Sequence, residues 1–192
     1  MRELLFETST PMANVIPPYQ GLQAEELKGH LAPQRSPLLN LCMNLTSDFN
    51  KAQLIRASNA FLARAVWLIG TRKLDCRGAV GMQFLEKVWE CSSLDEAAAV
   101  LEAEDYVLFA IDNQPEQHPR SIHQVELPLR SAFLYGEERL GLSAGAVARC
   151  GGGMLCIPQR GAIASLNVAQ AAAVAMAEYN RQHPLKQSNG DT

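Results

Sequence analysis

The chain has 192 residues, 47% hydrophobic and 19% charged, with 17 basic and 20 acidic side chains and a formal net charge of −3. This composition supports one domain with a sizeable core and excludes an intrinsically disordered chain. It also excludes a globally basic nucleic-acid binder, while local contact with RNA or DNA stays open.

Five cysteines (Cys42, Cys76, Cys91, Cys150 and Cys156) form no C-x-x-C pair, and their odd count reads as reduced core thiols. His30, His118, His123 and His183 are scattered without zinc-site spacing, so no metal is expected. Only Leu4 to Phe6 are apolar after Met1-Arg2-Glu3, and no long apolar run follows anywhere. The expectation is a soluble, cytoplasmic protein with no membrane partner.

Residues 1–37 carry Pro11, Pro17, Pro18, Pro33 and Pro37. Proline lacks the amide donor and restricts its predecessor, so this stretch reads as an arm with at most a short helix near Gln23–His30. From Leu38 a regular alternation begins. Leu39–Leu45 reads as a buried strand and Asn50–Ala63 as a helix, with Leu54, Ala57 and Phe61 on one face and Asn50 as its cap. Further strands are expected at Ala65–Ile69, Lys87–Cys91, Tyr106–Ile111, Ser131–Tyr135 and Met154–Ile157. A helix capped by Ser92 or Ser93 runs through Ala103, and a long last helix runs from about Leu166 to Gln182. The strands are continuous apolar runs, the signature of a parallel sheet covered on both faces. The expected class is α/β, a mostly parallel sheet flanked by helices, over residues 38–183, followed by a polar tail at 184–192. Ligands of such sheets bind at the carboxyl ends of the strands, here the loops after Ile111, Tyr135 and Ile157.

Three stretches carry chemistry. Asn50 to Arg56 alone reads as a capped helix with one exposed arginine. In Gly136-Glu137-Glu138-Arg139-Leu140-Gly141-Leu142 a strand runs into a turn between two glycines, which permit close backbone approach. Its spacing is not G-x-G-x-x-G, which argues against a nicotinamide-dependent dehydrogenase. In the third, a strand ends at Ile157-Pro158, Gln159-Arg160-Gly161 form a loop, and Ser165-Leu166-Asn167 open a helix of small residues. Ser165 could cap that helix, and free N–H groups at its start can hold a polar ligand.

In this order the three stretches resemble the SpoU/TrmH-type RNA ribose 2′-O-methyltransferases of the SPOUT superfamily. The resembling residues are Asn50…Arg56, Gly136-Glu137-Glu138-Arg139-Leu140-Gly141-Leu142, and Ile157-Pro158-Gln159-Arg160-Gly161…Ser165-Leu166-Asn167-Val168-Ala169…Ala171…Ala173-Val174. The resemblance implies a C-terminal deep trefoil knot and S-adenosylmethionine bound by the knot loops. Ala110, Ile111, Asp112, Gly136, Gly141, Ile157, Pro158, Gly161, Ser165 and Leu166 would hold it. It also implies a homodimer with an active site shared between subunits, and methyl transfer to a ribose 2′-hydroxyl of RNA, with tRNA favoured. Arg56 would be catalytic, with Asn50, Glu138, Ser165 and Asn167 shaping the site. A non-catalytic RNA-binding module on the same fold is the alternative. Glu137, Arg139 and Gln159 depart from the family pattern, as do Lys51 and Ala52. The separate amino-terminal RNA-recognition domain of several relatives is not expected here, unless residues 1–37 do part of that work.

The net charge hides an uneven distribution. Lys51, Arg56, Arg64, Arg72, Lys73 and Arg77 face only Asp75 between residues 51 and 77, whereas residues 86–116 hold Lys87 against nine carboxylates. Phosphate contacts need local cations, so a basic strip of Arg56, Arg72, Lys73 and Arg77 is the expected RNA contact.

Overall fold

The computed structural model describes residues 1–8, 12, 14–43, 48–70, 74–137 and 140–184. The strands are β1 (Arg2–Leu4), β2 (Leu39–Met43), β3 (Ala65–Ile69), β4 (Val88–Cys91), β5 (Val107–Ile111), β6 (Arg120–Ser121), β7 (Ser131–Tyr135) and β8 (Met154–Cys156). The helices are α1 (Ala24–Leu31), α2 (Asp48–Ala60), α3 (Leu94–Ala103), α4 (Ala144–Ala148) and α5 (Val168–Gln182). Strands β3 and β7 coincide with their expected spans. The polar tail from 185 onward lies outside the described residues.

One sheet runs β1-β4-β3-β2-β7-β5-β8-β6, parallel throughout except for β1 against β4. Alternate side chains of each strand feed two cores, as the two-residue period of a strand requires. Phe109, Phe133 and Tyr135 pack with Leu54 and Ile55 of α2 and Met176 and Tyr179 of α5. Leu108, Ala110 and Leu134 pack on the other face with Leu101 of α3 and Ala146 of α4. Because β7, β5 and β8 are adjacent and parallel, their carboxyl ends open side by side.

Residues 1–37 hold more structure than their prolines predict. Helix α1 is present, and β1 adds an edge strand to the sheet. Met12, Ala24, Leu27 and Leu31 form a third apolar cluster with Met82 and Leu85. Arg35 locks this segment down, donating to both carboxylate oxygens of buried Glu86 at 2.8 and 2.6 Å. It also donates to the Ala63 and Leu85 carbonyls. Among the described residues, no helix is long and apolar enough to cross a membrane.

Candidate functional site at the carboxyl ends of three strands

The loops after β5, β7 and β8 converge on one cleft of about 390 Å³, lined by Ile111 to Gln114, Tyr135 to Glu137, Leu140 to Leu142 and Ala164 to Leu166. A narrower extension is lined by Ile157 and Gln159. The volume is that of a small-molecule site, at the strand ends where parallel sheets bind ligands.

The middle loop is held shut by its glycines. Gly141 has φ +63, and its N–H donates to the Glu137 carbonyl at 2.8 Å. A Cβ on Gly141 would stand 2.6 Å from Asp112 Oδ2, and one on Gly136 would stand 2.4 Å from the Gly141 backbone. Both positions therefore demand glycine, one for conformation and both for space.

Asp112 is the brace of that loop. Its Oδ2 accepts from the Leu142 N–H and from Gln114 Nε2, both at 2.8 Å, and its Oδ1 accepts from the Asn113 N–H. Gln114 also donates to the Leu142 carbonyl. The carboxylate is thus engaged in fixing the cleft wall. Sequence reasoning missed Gln114; its signal was the polar run Asp112-Asn113-Gln114 between an apolar strand and Pro115.

Helix α5 opens with a correction. The cap is Asn167, whose Oδ1 accepts from the Ala169 N–H at 2.9 Å, while exposed Ser165 stands two residues before the cap on the cleft rim. Asn50 is not a cap either, because α2 already begins by Asp48. Its side chain instead accepts from Asn167 Nδ2 at 2.9 Å, joining the first and third stretches. Beneath them, buried Asn40 accepts from the Tyr135 hydroxyl and donates to Ser58.

The remaining expected site residues separate. Ile111, Gly136, Gly141, Ile157 and Leu166 line the cleft or its extension. Ala110 points into the core on the other sheet face. Pro158 and Gly161 are exposed, and neither lines the cleft. Glu138, Arg72 and Lys73 lie outside the described residues. Arg56 is exposed on α2 and makes no hydrogen bond or ion pair with a described residue. It lines a different groove, which shares no lining residue with the cleft.

Three of the described cations between residues 51 and 77 are held in ion pairs, and of the expected basic strip only Arg77 is among them. Lys51 is buried and pairs with Asp48, Arg64 pairs with Glu104, and Arg77 grips Asp75 at 2.5 Å. Arg77 holds the Asp75 carboxyl down at about 2 through its side-chain bond.

The cleft has the opposite charge. Asp112, Glu116 and Glu137 line it, with no lysine or arginine among the described lining residues. Gln159, which lines its narrow extension, has a buried Oε1 with no hydrogen-bond partner among the described residues. A buried acceptor without a donor is costly, so a ligand bearing N–H groups and positive charge suits this lining.

Residues 38–177 match the SpoU rRNA Methylase family. Comparison with curated protein sequences gives no match. Among solved structures, the chain is similar to the SpoU methyltransferase AviRb from Streptomyces viridochromogenes in complex with AdoMet. The two share 25% identity over 78% of this chain and 58% of that one, with a TM-score of 0.69. The chain thus spans less than two thirds of AviRb. It has the fold of the A. aeolicus TrmH/SpoU tRNA modifying enzyme (16% identity, 83% and 84% coverage, TM-score 0.71). It also has the fold of a protein solved to explain 2-OH methylation of C/U34 on tRNA (24% identity, 76% and 95% coverage, TM-score 0.64).

Proposed function

Because the chain belongs to the SpoU rRNA methylase family, we propose that it is an S-adenosylmethionine-dependent RNA methyltransferase acting on a ribose 2′-hydroxyl, with tRNA the favoured substrate. The observation that carries this reading is the carboxylate-lined cleft built by the loops after β5, β7 and β8. Its lining suits a cationic ligand with amino groups.

Bound S-adenosylmethionine supplies an activated methyl group on its sulfonium. Gly136, Glu137 and Leu140 to Leu142, braced by Asp112, would form one wall for it, and Ile157, Gln159 and Leu166 the other. Gln159 Oε1 offers an acceptor to an amino group. Transfer is an in-line displacement, so the protein's task is positioning. Arg56 binds the phosphate next to the target ribose. A guanidinium stays protonated, so the 2′-hydroxyl proton leaves through that phosphate rather than onto arginine. Because Arg56 does not line the cleft of its own chain, a homodimer in which it serves the partner's cleft completes the site. The threading of the C-terminal segment into a trefoil knot belongs to the same reading.

Calorimetry with S-adenosylmethionine, followed by methyl incorporation into RNA and mass spectrometry of nuclease digests, tests the proposal. Cofactor binding and a ribose-borne methyl group are expected. Arg56→Ala should keep cofactor binding and lose transfer; full turnover in that variant would refute the mechanism. A folded protein that binds RNA without cofactor would be the non-catalytic module instead. Comparing modified nucleosides in tRNA and rRNA from cells with and without the protein identifies the substrate.

A further inference from the structure

The groove that holds Arg56 has about 490 Å³ of space between the N-terminal segment, α2 and residues 80–85. Half of its lining precedes residue 38, where the family match begins. Leu27, Leu31, Leu62, Met82 and Leu85 make its walls apolar, and Tyr19, against the His30 ring at 6.4 Å, adds an aromatic face. Its charge is the reverse of the cleft's. Arg56 lines it and no carboxylate does among the described residues.

Of the three amide side chains in the lining, Asn14, Gln34 and Asn59, the last two commit their nitrogen elsewhere and have an oxygen to offer. Gln34 commits Nε2 to the His30 carbonyl, and Asn59 commits Nδ2 to Glu86, which Arg35 neutralises. Neither amide oxygen accepts a bond from a described residue, so both can receive the N–H groups of a base edge. Leu62 and Val80, both at φ 52, also line the groove. Left-handed backbone is uncommon outside glycine, and for a β-branched residue such as Val80 it is an outlier that persists only where the surroundings enforce it.

We propose that this groove receives one nucleobase of the RNA, lifted out of its stack, while Arg56 at the groove holds the adjoining phosphate. The inference rests on the RNA-methyltransferase reading above and deepens it. An apolar slot with an aromatic face, amide acceptors and one cation matches how single-stranded bases are bound. The N-terminal segment then contributes substrate recognition.

The test is fluorescence anisotropy of a labelled single-stranded oligoribonucleotide with the full chain. Ala60→Trp fills the groove one helical turn from Arg56, and Gln34→Glu adds a carboxylate to it. Each should weaken RNA binding by about tenfold, the loss typical of one base contact. Cofactor affinity by calorimetry and mass by sedimentation should stay at wild-type values. Unchanged RNA affinity in both variants overturns the proposal, as does a wild-type protein that binds no RNA. A changed mass in Ala60→Trp assigns the groove to a second copy of the chain and equally overturns it. Absent cofactor binding by the wild type would sink the methyltransferase reading, yet the anisotropy would still judge the groove.

Discussion

Asn167 is bonded to Asn50 across 117 positions of sequence, Nδ2 to Oδ1 at 2.9 Å, while its own Oδ1 caps α5. One amide therefore sets where the last helix starts and ties that start to the first turn of α2. Helix α2 is the element that carries Arg56. The contact therefore couples the start of α5, beside the cleft rim, to the helix that bears Arg56.

Asn167→Ala removes the cap and the tie together and should cost about 2 kcal/mol in urea unfolding, from the usual worth of a cap and a half-buried hydrogen bond. Asn167→Asp keeps a capping oxygen but loses the donor to Asn50, so it should fall between the two. If the aspartate variant matched the wild type, the bond to Asn50 would contribute nothing.

Gly141→Ala should strain the loop twice, at φ +63 and against Asp112 Oδ2. A residue forced into such backbone costs about 1–3 kcal/mol, and the displaced wall should weaken cofactor binding measurably in calorimetry. The matched control is Gly151→Ala, where an added Cβ meets nothing within 4 Å. Equal behaviour of the two variants would remove the bracing role given to Asp112.

Local signals were legible in the sequence and long-range ones were not. The apolar runs Ala65–Ile69 and Ser131–Tyr135 define β3 and β7 because a buried strand needs nothing but its own residues. Ser93 was readable as a cap, since the helix follows at once. At α5 two capping types compete, and Asn167 prevails where its amide also reaches Asn50. The charge count between 51 and 77 could not show that Arg64 pairs with Glu104, forty residues on. Strand β1 was hidden for a similar reason, since three residues form a strand only against β4. The convergence of three loops was readable from sheet logic; the charges lining the cleft required the fold.

Arg35 and Glu86 predict a larger effect. Burial pushes the Glu86 carboxyl up, and the bonds from Arg35 and then Asn59 oppose that push. Arg35→Met strands the carboxylate and should destabilise the protein by about 3–5 kcal/mol at neutral pH. A buried acid raised above its unfolded value favours folding below the unfolded pKa and loses that advantage as pH rises. The variant should therefore recover part of its loss in mild acid. Denaturant midpoints measured across pH check both claims, and a loss that did not shrink in acid would mean Arg35 acts through packing alone.

Glu178 works in the opposite sense. Its side chain is 5% exposed on α5 and accepts from Arg181, Gln182 and His123. Gln182 in turn holds the Leu127 N–H and the Val125 carbonyl, so this cluster fastens the C-terminal half of α5 to the segment after β6. Arg181 foremost, then Gln182 and His123, bring the carboxyl from 4.5 down to about 2. A depressed acid stabilises the fold above its unfolded pKa and loses that contribution as pH falls through its folded one. Between pH 4.5 and about 2 the wild type should therefore lose stability that Glu178→Gln never had. The glutamine variant should melt lower than the wild type at neutral pH, and the two should converge toward pH 2. Parallel melting curves down to that pH would show that the carboxylate contributes nothing through its charge. Because the other end of α5 is the Asn167 cap, amide exchange at Ala169 and Gln170 should rise together with this acid loosening if the helix responds as one unit.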